Sequence, residues 1–183
     1  LDAYYKYQLE NEDKSLKKGT GYRLVENILK INSFFSSDER QVEVIILSKN
    51  NAATSLRITN AINDLKLDII RSAWTSGTNI SNYLKAFKVD LFLSADDNDV
   101  LNAIENGVAA AKILHSNENI HNISNEQVRI AFDGDAVLFS EESELVYKNH
   151  GLEAFIEHEK ENKNNPLEMG PFAKLLLTIA KIQ

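Results

Sequence analysis

The stretch that decides the fold of this chain reads Arg129-Ile130-Ala131-Phe132-Asp133-Gly134-Asp135-Ala136-Val137. The apolar residues before Asp133 are typical of a buried strand, and we predict a strand over residues 128–132. Asp133 and Asp135 follow this strand at alternate positions, so both carboxylates are able to face one ligand. Two carboxylates suit a divalent cation with oxygen ligands, in particular Mg²⁺. The structural alternative is a surface turn, because Asp and Gly are common turn residues.

On the N-terminal side of this stretch, short apolar runs alternate with helical patterns. We predict strands over residues 42–47, 69–74, 89–93 and 109–114, helices over 52–65, 81–87, 97–106 and 141–149, and a loop over 115–125. Strands that alternate with helices are typical of an α/β fold, in which a Rossmann-like parallel sheet is flanked by helices. Ligands of such sheets bind beyond the carboxyl ends of the strands.

Polar residues end two more of the predicted strands. Ser48 ends the first strand, and the pair Asp96-Asp97 follows the third. Because the carboxyl ends of parallel strands meet at one edge of a sheet, we expect these side chains to share a crevice with Asp133 and its neighbours. Asp97 has an alternative role as the N-cap of the helix that follows it.

Two segments of the chain, residues 1–32 and 152–183, align with each other without gaps. Ten positions are identical, where chance gives about two: Leu1, Ala3, Glu10, Asn11, Leu16, Gly19, Leu24, Ile28, Lys30 and Ile31 recur as Leu152, Ala154, Glu161, Asn162, Leu167, Gly170, Leu175, Ile179, Lys181 and Ile182. Each copy predicts a helix, a short loop with a glycine and a second helix. We predict one domain over residues 1–183 with a small helical elaboration built from a duplicated segment. Convergent helix composition is the alternative, and a strand and helix upstream of Leu1 are expected to match those that precede the second copy.

The composition argues against several classes of protein and of partner. The chain has 183 residues, a formal net charge of −7 and no cysteine. The lack of cysteine excludes a disulfide framework and fits a reducing compartment, so we expect a cytoplasmic protein. The negative charge argues against nucleic acid as a partner, because binding to a phosphate backbone needs a basic face. No apolar run approaches the roughly 20 residues of a membrane span, so we expect no membrane partner.

The stretch around Asp133 also resembles the first motif of the haloacid dehalogenase-like phosphohydrolases. That motif is an apolar strand, Asp, any residue, Asp, any residue, and Thr or Val, with Val137 in the last place here. The longer stretch 129–142 is similar to the signature of the cytosolic type I 5′-nucleotidases. Segments 47–50, 56–57, 83–87, 91–96, 151–155, 158–159, 166–167 and 170–171 resemble the same family, in order along the chain. The resemblance covers nearly the whole chain and implies a haloacid dehalogenase-like fold.

The resemblance implies a catalytic role for four residues. Asp133 corresponds to the nucleophile that forms an aspartyl-phosphate. Asp135 corresponds to the acid that protonates the leaving oxygen and then to the base that activates water. Ser48 corresponds to the hydroxyl that hydrogen-bonds a phosphate oxygen. Lys85 corresponds to the lysine that offsets the negative charge of the phosphate and the nucleophile.

The resemblance also implies the cofactor Mg²⁺ and a set of ligands for it. The metal would lie between the Asp133 carboxylate, the Asp135 backbone carbonyl and Asp96, with Asp97 as a supporting ligand. The motifs run in a permuted order, with Ser48 and Lys85 before the nucleophile, as in the nucleotidases that the chain resembles.

The implied reaction is hydrolysis of nucleoside 5′-monophosphates, such as AMP, to nucleoside and phosphate. Asn50, Arg57 and Thr75 lie where the substrate is expected to bind. A surface salt bridge is the alternative role for Arg57, and a plain loop position is the alternative for Thr75. A phosphatase of another small phosphate ester and a non-catalytic nucleotide-binding protein are the alternative functions. The resemblance also allows a homo-oligomer.

Overall fold

The computed structural model describes residues 2–114 and 127–182, so the predicted loop 115–125 lies outside the described residues. Seven helices and four strands are described, in the order α1 (Asp2–Glu10), α2 (Tyr22–Lys30), β1 (Ile45–Ser48), α3 (Leu56–Asp64), β2 (Arg71–Trp74), α4 (Ser81–Leu84), β3 (Phe92–Ser94), α5 (Asp97–Glu105), β4 (Ala110–Lys112), α6 (Glu142–Asn162) and α7 (Ala173–Ala180). A 3₁₀ turn, Ile31–Phe34, continues α2.

The α/β fold class is confirmed, because short strands alternate with helices along the chain. β1 and β2 pair in parallel, with Ile45 opposite Arg71 and Ser48 opposite Trp74. β3 and β4 form a second two-stranded sheet. Each strand overlaps the stretch predicted for it and is shorter, because a strand extends only as far as it has a neighbour to hydrogen-bond with.

The strand predicted over residues 128–132 is wrong, because this stretch forms neither helix nor strand in the structure. Its apolar residues read as a buried strand, but the sheet of β3 and β4 contains no third strand among the described residues. A strand without a neighbour leaves its backbone groups unpaired, which is costly when they are buried. Asp133 nevertheless keeps the extended backbone expected at a strand end, with φ −70° and ψ 156°.

The chain divides into two compact units. Of the described residues, the first unit contains 2–83, 112–114, 127 and 128, and the second contains 84–111 and 129–182. In the first unit, α3 packs beside α1, and the Asn60 amide donates to the carbonyl of Glu12 at 3.0 Å. The prediction of a single domain over residues 1–183 stays a prediction.

In the second unit, α5 packs against β3. Leu84 and Ala103 are fully buried there, and Phe92, Val108 and Ala110 are less than a tenth exposed. Burial of an aliphatic or aromatic side chain is worth about 1.5–3 kcal/mol, so these buried side chains contribute to the stability of the unit. None of the helices in the described part of the chain is both long enough and apolar enough to cross a bilayer.

Helix α6 is two helices that double back at Gly151. This residue has φ +84° and ψ −178°, a conformation almost confined to glycine. The Ser143 hydroxyl donates to Glu159 at 2.5 Å, and the rings of Tyr147 and Phe155 meet edge to face at 6.1 Å. In a straight helix, residues 143 and 159 would lie about 24 Å apart along the axis. The two arms therefore form an antiparallel hairpin, as the separate predictions for 141–149 and for the second repeated segment require.

Both repeated segments fold as a helix, a loop and a second helix. In the first copy the helices are α1 and α2, and in the second they are the C-terminal arm of α6 and α7. The second helix begins at Tyr22 in one copy and at Ala173 in the other, which are equivalent positions of the alignment. Both segments therefore contain the two helices predicted for them, while the helical elaboration and its origin by duplication stay predictions.

Candidate active site

In the first unit, Ser48 lies at the carboxyl end of β1 with its hydroxyl held in a tight turn. The Asn50 backbone N–H donates to Ser48 Oγ at 3.2 Å. A hydroxyl that accepts this bond keeps its own proton available for donation. Ser48 is partly exposed, so an anion beyond the strand end is able to accept that proton. The phosphate contact that the family resemblance implies for Ser48 stays a prediction.

The structure brings Thr75 to the same strand end. Its backbone N–H donates to the Ser48 carbonyl at 2.9 Å, and its hydroxyl donates to Thr78 at 2.7 Å. Thr75 is only 6% exposed, so its buried hydroxyl stabilises the turn after β2. This arrangement favours a supporting position for Thr75 over the predicted contact with substrate.

Loops that follow β1 and β2 are held together by two further backbone bonds. Ser76 N–H donates to the Asn50 carbonyl at 3.1 Å, and Gly77 N–H donates to the Lys49 carbonyl at 2.8 Å. The Asn50 side chain accepts a bond from Tyr4 at 3.4 Å. The backbone next to Ser48 is therefore held in place by hydrogen bonds between these two loops.

Arg57 lies in the first turn of α3 with its guanidinium turned to the loop after α1. Its Nε–H donates to the carbonyl of Lys14 at 2.8 Å. The bond uses one of the five guanidinium N–H groups and leaves the others available. The structure thus replaces the predicted surface salt bridge with a backbone contact, and the phosphate or ribose contact stays a prediction.

In the second unit, Asp96 is the N-cap of α5. Its Oδ1 accepts from the backbone N–H groups of Asn98 at 2.9 Å and Asp99 at 3.1 Å. Asp97, the alternative N-cap in the sequence prediction, is instead the first residue of the helix. Capping uses only Oδ1, and no other partner of the exposed Asp96 carboxylate is described. Asp96 therefore combines a structural role with a free carboxylate oxygen.

Lys85 directly follows α4 and is exposed. Its carbonyl accepts from the Lys88 N–H at 3.0 Å, which closes a turn after the helix. The buried Leu84 anchors the backbone next to Lys85, while the lysine side chain remains in solvent. The Lys85 ammonium is therefore accessible to an anion from solvent, while the backbone that carries it is held in place by Leu84.

Asp133 and Asp135 lie on an irregular loop, residues 133–139, which we call the Asp133 loop. Gly134 N–H donates to Asp133 Oδ1 at 2.7 Å, and Phe139 N–H donates to the Gly134 carbonyl at 3.0 Å. Both aspartates are exposed. Ala136 has φ +59°, an uncommon conformation for a residue other than glycine. Strain of this kind often marks functional loops, which require support from their surroundings.

No metal cluster is assembled by these side chains. Within residues 2–114 and 127–182, no three acidic or histidine side chains gather closely enough to hold a metal ion. The chemistry of the predicted donors does fit Mg²⁺, because Asp133 and Asp96 each use one carboxylate oxygen internally and have a second one free. The ligand set of Asp133, Asp135, Asp96 and Asp97 therefore stays a prediction.

Two surface depressions of the described residues lie elsewhere, on the exposed faces of α6 and α2. They are lined by Glu153, Ile156, Glu157 and Lys160, and by Lys18, Tyr22, Arg23 and Glu26. Neither contains a predicted site residue. The first lies between side chains of α6, and the second lies between side chains of α2 and Lys18 of the preceding loop, so neither indicates a different location for the site.

Sequence reasoning missed Ser94. Its Oγ accepts from the Asp96 N–H at 3.1 Å, which repeats at the end of β3 the turn that Ser48 forms at the end of β1. The signal was present, because both strands end in Leu-Ser followed by any residue and then by Asn or Asp. Ser94 thus fixes the backbone that carries Asp96.

Comparison with known proteins identifies a family and curated relatives of this chain. The sequence model of the 5′-nucleotidase family matches residues 1–183. The chain is 33% identical over 187 residues to the Homo sapiens protein named cytosolic 5′-nucleotidase 1B. That match covers 100% of this chain and 30% of the human protein, so the chain spans about a third of the length of this curated relative. No solved structure matches the chain.

Proposed function

Because the chain belongs to the 5′-nucleotidase family over its whole length, we propose that it hydrolyses nucleoside 5′-monophosphates to nucleoside and phosphate. The observation that carries this proposal is the exposed Asp133 carboxylate at the start of the Asp133 loop. Its first aspartate is exposed, with Oδ1 fixed by the Gly134 N–H and Oδ2 free to attack. A nucleophile held by one oxygen loses little further freedom when it reacts.

In the proposed reaction, Asp133 Oδ2 forms a bond to phosphorus and the bond from phosphorus to the 5′-oxygen breaks. Asp135 gives its proton to the leaving 5′-oxygen, so a nucleoside departs and an aspartyl-phosphate remains. Water then attacks that phosphorus and gives a proton to Asp135. Phosphate leaves, and the Asp133 carboxylate is regenerated.

Phosphate oxygens would be held by Ser48 and Lys85. The Ser48 hydroxyl accepts from the Asn50 N–H through a lone pair, so its own O–H remains able to donate to a phosphate oxygen. Lys85 supplies a mobile positive charge that offsets the phosphate. Asn50 and Arg57 are proposed to contact the rest of the nucleotide. Thr75 is proposed to hold Ser48 in place through the hydrogen bond from its backbone N–H to the Ser48 carbonyl.

We propose Mg²⁺ as the cofactor, held by Asp133, the backbone carbonyl of Asp135 and Asp96, with Asp97 in support. When bound, the ion stabilises negative charge on the phosphate. The net charge of −7 does not exclude a phosphate substrate, because a divalent cation allows an acidic site to hold a phosphate. We also propose a cytoplasmic location, in keeping with the word cytosolic in the name of the human relative.

The decisive variant is Asp133→Asn. Asparagine keeps an oxygen that accepts from Gly134 but is not a nucleophile, so turnover should fall at least about a thousandfold while the loop keeps its shape. Phosphate release from AMP, other nucleotides and sugar phosphates, with Mg²⁺ present, measures the loss and the substrate class.

Asp64→Asn, an exposed carboxylate at the end of α3, is the matched control and should retain wild-type turnover. A sugar phosphate hydrolysed faster than any nucleotide would indicate a different phosphatase. Wild-type protein without turnover of any ester would indicate a non-catalytic nucleotide-binding protein.

A further inference from the structure

The Asp133 loop is held along one side by residues 168–172, which we call the clamp segment. Ser140 N–H donates to the Glu168 carbonyl at 2.8 Å, and Phe139 and Met169 form an antiparallel bridge. Further along, Phe172 N–H donates to the Val137 carbonyl at 3.0 Å. The loop that carries both aspartates is therefore paired, backbone to backbone, with a segment 28 to 35 positions later in the sequence.

Gly170 lies at the closest point of this pairing. Its N–H donates to the Leu138 carbonyl at 2.8 Å. A Cβ atom at this position would lie 2.4 Å from the Phe139 carbonyl oxygen and 2.5 Å from that of Val137. Both atoms belong to the backbone and cannot rotate aside as a side chain would. Glycine is thus required here for space, because any side chain would force the loop and the clamp segment apart.

A displacement at Val137 and Phe139 reaches the proposed nucleophile through two hydrogen bonds. Phe139 N–H is bonded to the Gly134 carbonyl, and Gly134 N–H is bonded to Asp133 Oδ1. The strained Ala136 lies inside the same loop and needs external support to keep its conformation. An edge-to-face contact between Phe132 and Phe172 at 6.4 Å ties the clamp segment to the residue before Asp133.

We infer that Gly170 is a positioning residue, through which the clamp segment fixes the orientation of Asp133 and Asp135. The inference rests on the proposed catalytic role of these aspartates. It assigns a function to the second repeated segment, which the catalytic motifs alone do not use. A catalytic group supported by packed backbone holds its geometry better than one on an unsupported loop.

The repeat offers a matched control for the test. Gly19 is the equivalent glycine of the first copy, and a Cβ there would meet no atom within 4 Å. Neither Gly19 nor Gly170 has a positive φ, so Gly→Ala costs no backbone strain at either position. The two variants therefore differ in one respect: the added methyl group clashes with backbone atoms in Gly170→Ala and meets no atom in Gly19→Ala.

The chain has seven glycines, so labelling with ¹⁵N-glycine gives at most seven amide resonances. Gly170→Ala is expected to shift the Gly134 resonance and to lower kcat for AMP about 10- to 100-fold. KM should change less, because Ser48 and Lys85 still hold the phosphate. Gly19→Ala should leave both the Gly134 resonance and kcat unchanged.

Phe172→Leu provides a milder change if Gly170→Ala does not fold. It keeps an apolar side chain but loses the ring contact with Phe132, and it should shift Gly134 with a smaller loss of kcat. A folded Gly170→Ala variant with an unmoved Gly134 resonance would overturn the inference, as would equal effects from Gly19→Ala. The resonance reports on the clamp even in a protein without turnover, so failure of the proposed function is distinguished from failure of this inference.

Discussion

Asp96 carries two roles that substitution can separate. Its Oδ1 caps α5, while its second oxygen is proposed to bind Mg²⁺. Asparagine caps a helix about as well as aspartate, whereas alanine costs about 1 kcal/mol. We expect Asp96→Ala to lower the free energy of unfolding by that amount and Asp96→Asn to preserve it. Both variants should need at least about tenfold more Mg²⁺ for half-maximal turnover. An unchanged Mg²⁺ requirement in Asp96→Asn would remove this residue from the ligand set.

Ser48 tests the proposed contact with phosphate. A hydrogen bond to a charged group contributes about 1.5–3 kcal/mol, so Ser48→Ala should lower kcat/KM about 10- to 100-fold. Steady-state phosphate release at saturating Mg²⁺ measures the effect. Ser72→Ala, at an exposed position of β2, is the control and should behave as wild type. Equal kcat/KM for the two variants would show that Ser48 does not contact the substrate.

At the level of elements, the α6 hairpin depends on Gly151. A residue with a side chain is strained at φ +84° and ψ −178°, at a cost of about 1–3 kcal/mol. Gly151→Ala should therefore lower Tm by about 2–4 °C for each kcal/mol lost. Thermal unfolding followed by circular dichroism measures this shift, with Gly19→Ala as the control. A Tm equal to that of wild type would mean that the two arms do not depend on this turn.

The β1–β2 pair is supported by an ion pair between Glu43 and Arg71. Arg71 is the first residue of β2. The hydrogen bond from Arg71 holds the pKa of Glu43 below its ordinary value. A lowered folded-state pKa stabilises the protein above the ordinary glutamate pKa of about 4.3, and this contribution is lost as the pH falls through the folded-state pKa.

We expect Glu43→Gln to lower Tm at pH 7 but not in acid below the folded-state pKa. Both residues are partly exposed, so salt should shrink the difference at pH 7. Urea or thermal unfolding at several pH values and salt concentrations measures it. A difference from wild type that stays constant down to pH 3 would point to lost packing rather than lost charge.

Across the whole molecule, patterns local in sequence predicted the structure best. The helices predicted at 97–106 and 141–149 follow from local sequence patterns, and the structure has helices close to those positions. The strand at 128–132 was mispredicted for a physical reason. Apolar composition reports that a segment prefers burial, whereas a strand also needs a partner, and the partner is not a local property.

In the candidate site, too, local features were predictable from the sequence and contacts between distant residues were not. The sequence pattern predicted that Ser48 would end its strand and that Asp96 would follow its strand, and the structure has Ser48 as the last residue of β1 and Asp96 just after β3. The close approach of Gly170 to the Asp133 loop could not be predicted, because it joins residues more than 30 positions apart. The glycine itself was visible as a turn signal, and only packing distinguishes it from Gly19.

Chelation tests the metal proposal on the whole protein. EDTA should abolish turnover, and Mg²⁺ should restore it. Far-UV circular dichroism should not change, because the helices and strands are held by their own backbone hydrogen bonds. Ca²⁺ should restore less activity, because it takes 6–8 ligands at about 2.3–2.6 Å, while Mg²⁺ requires six at about 2.0–2.1 Å. Turnover that persists in EDTA would exclude the cofactor, and loss of helical signal would indicate a structural metal instead.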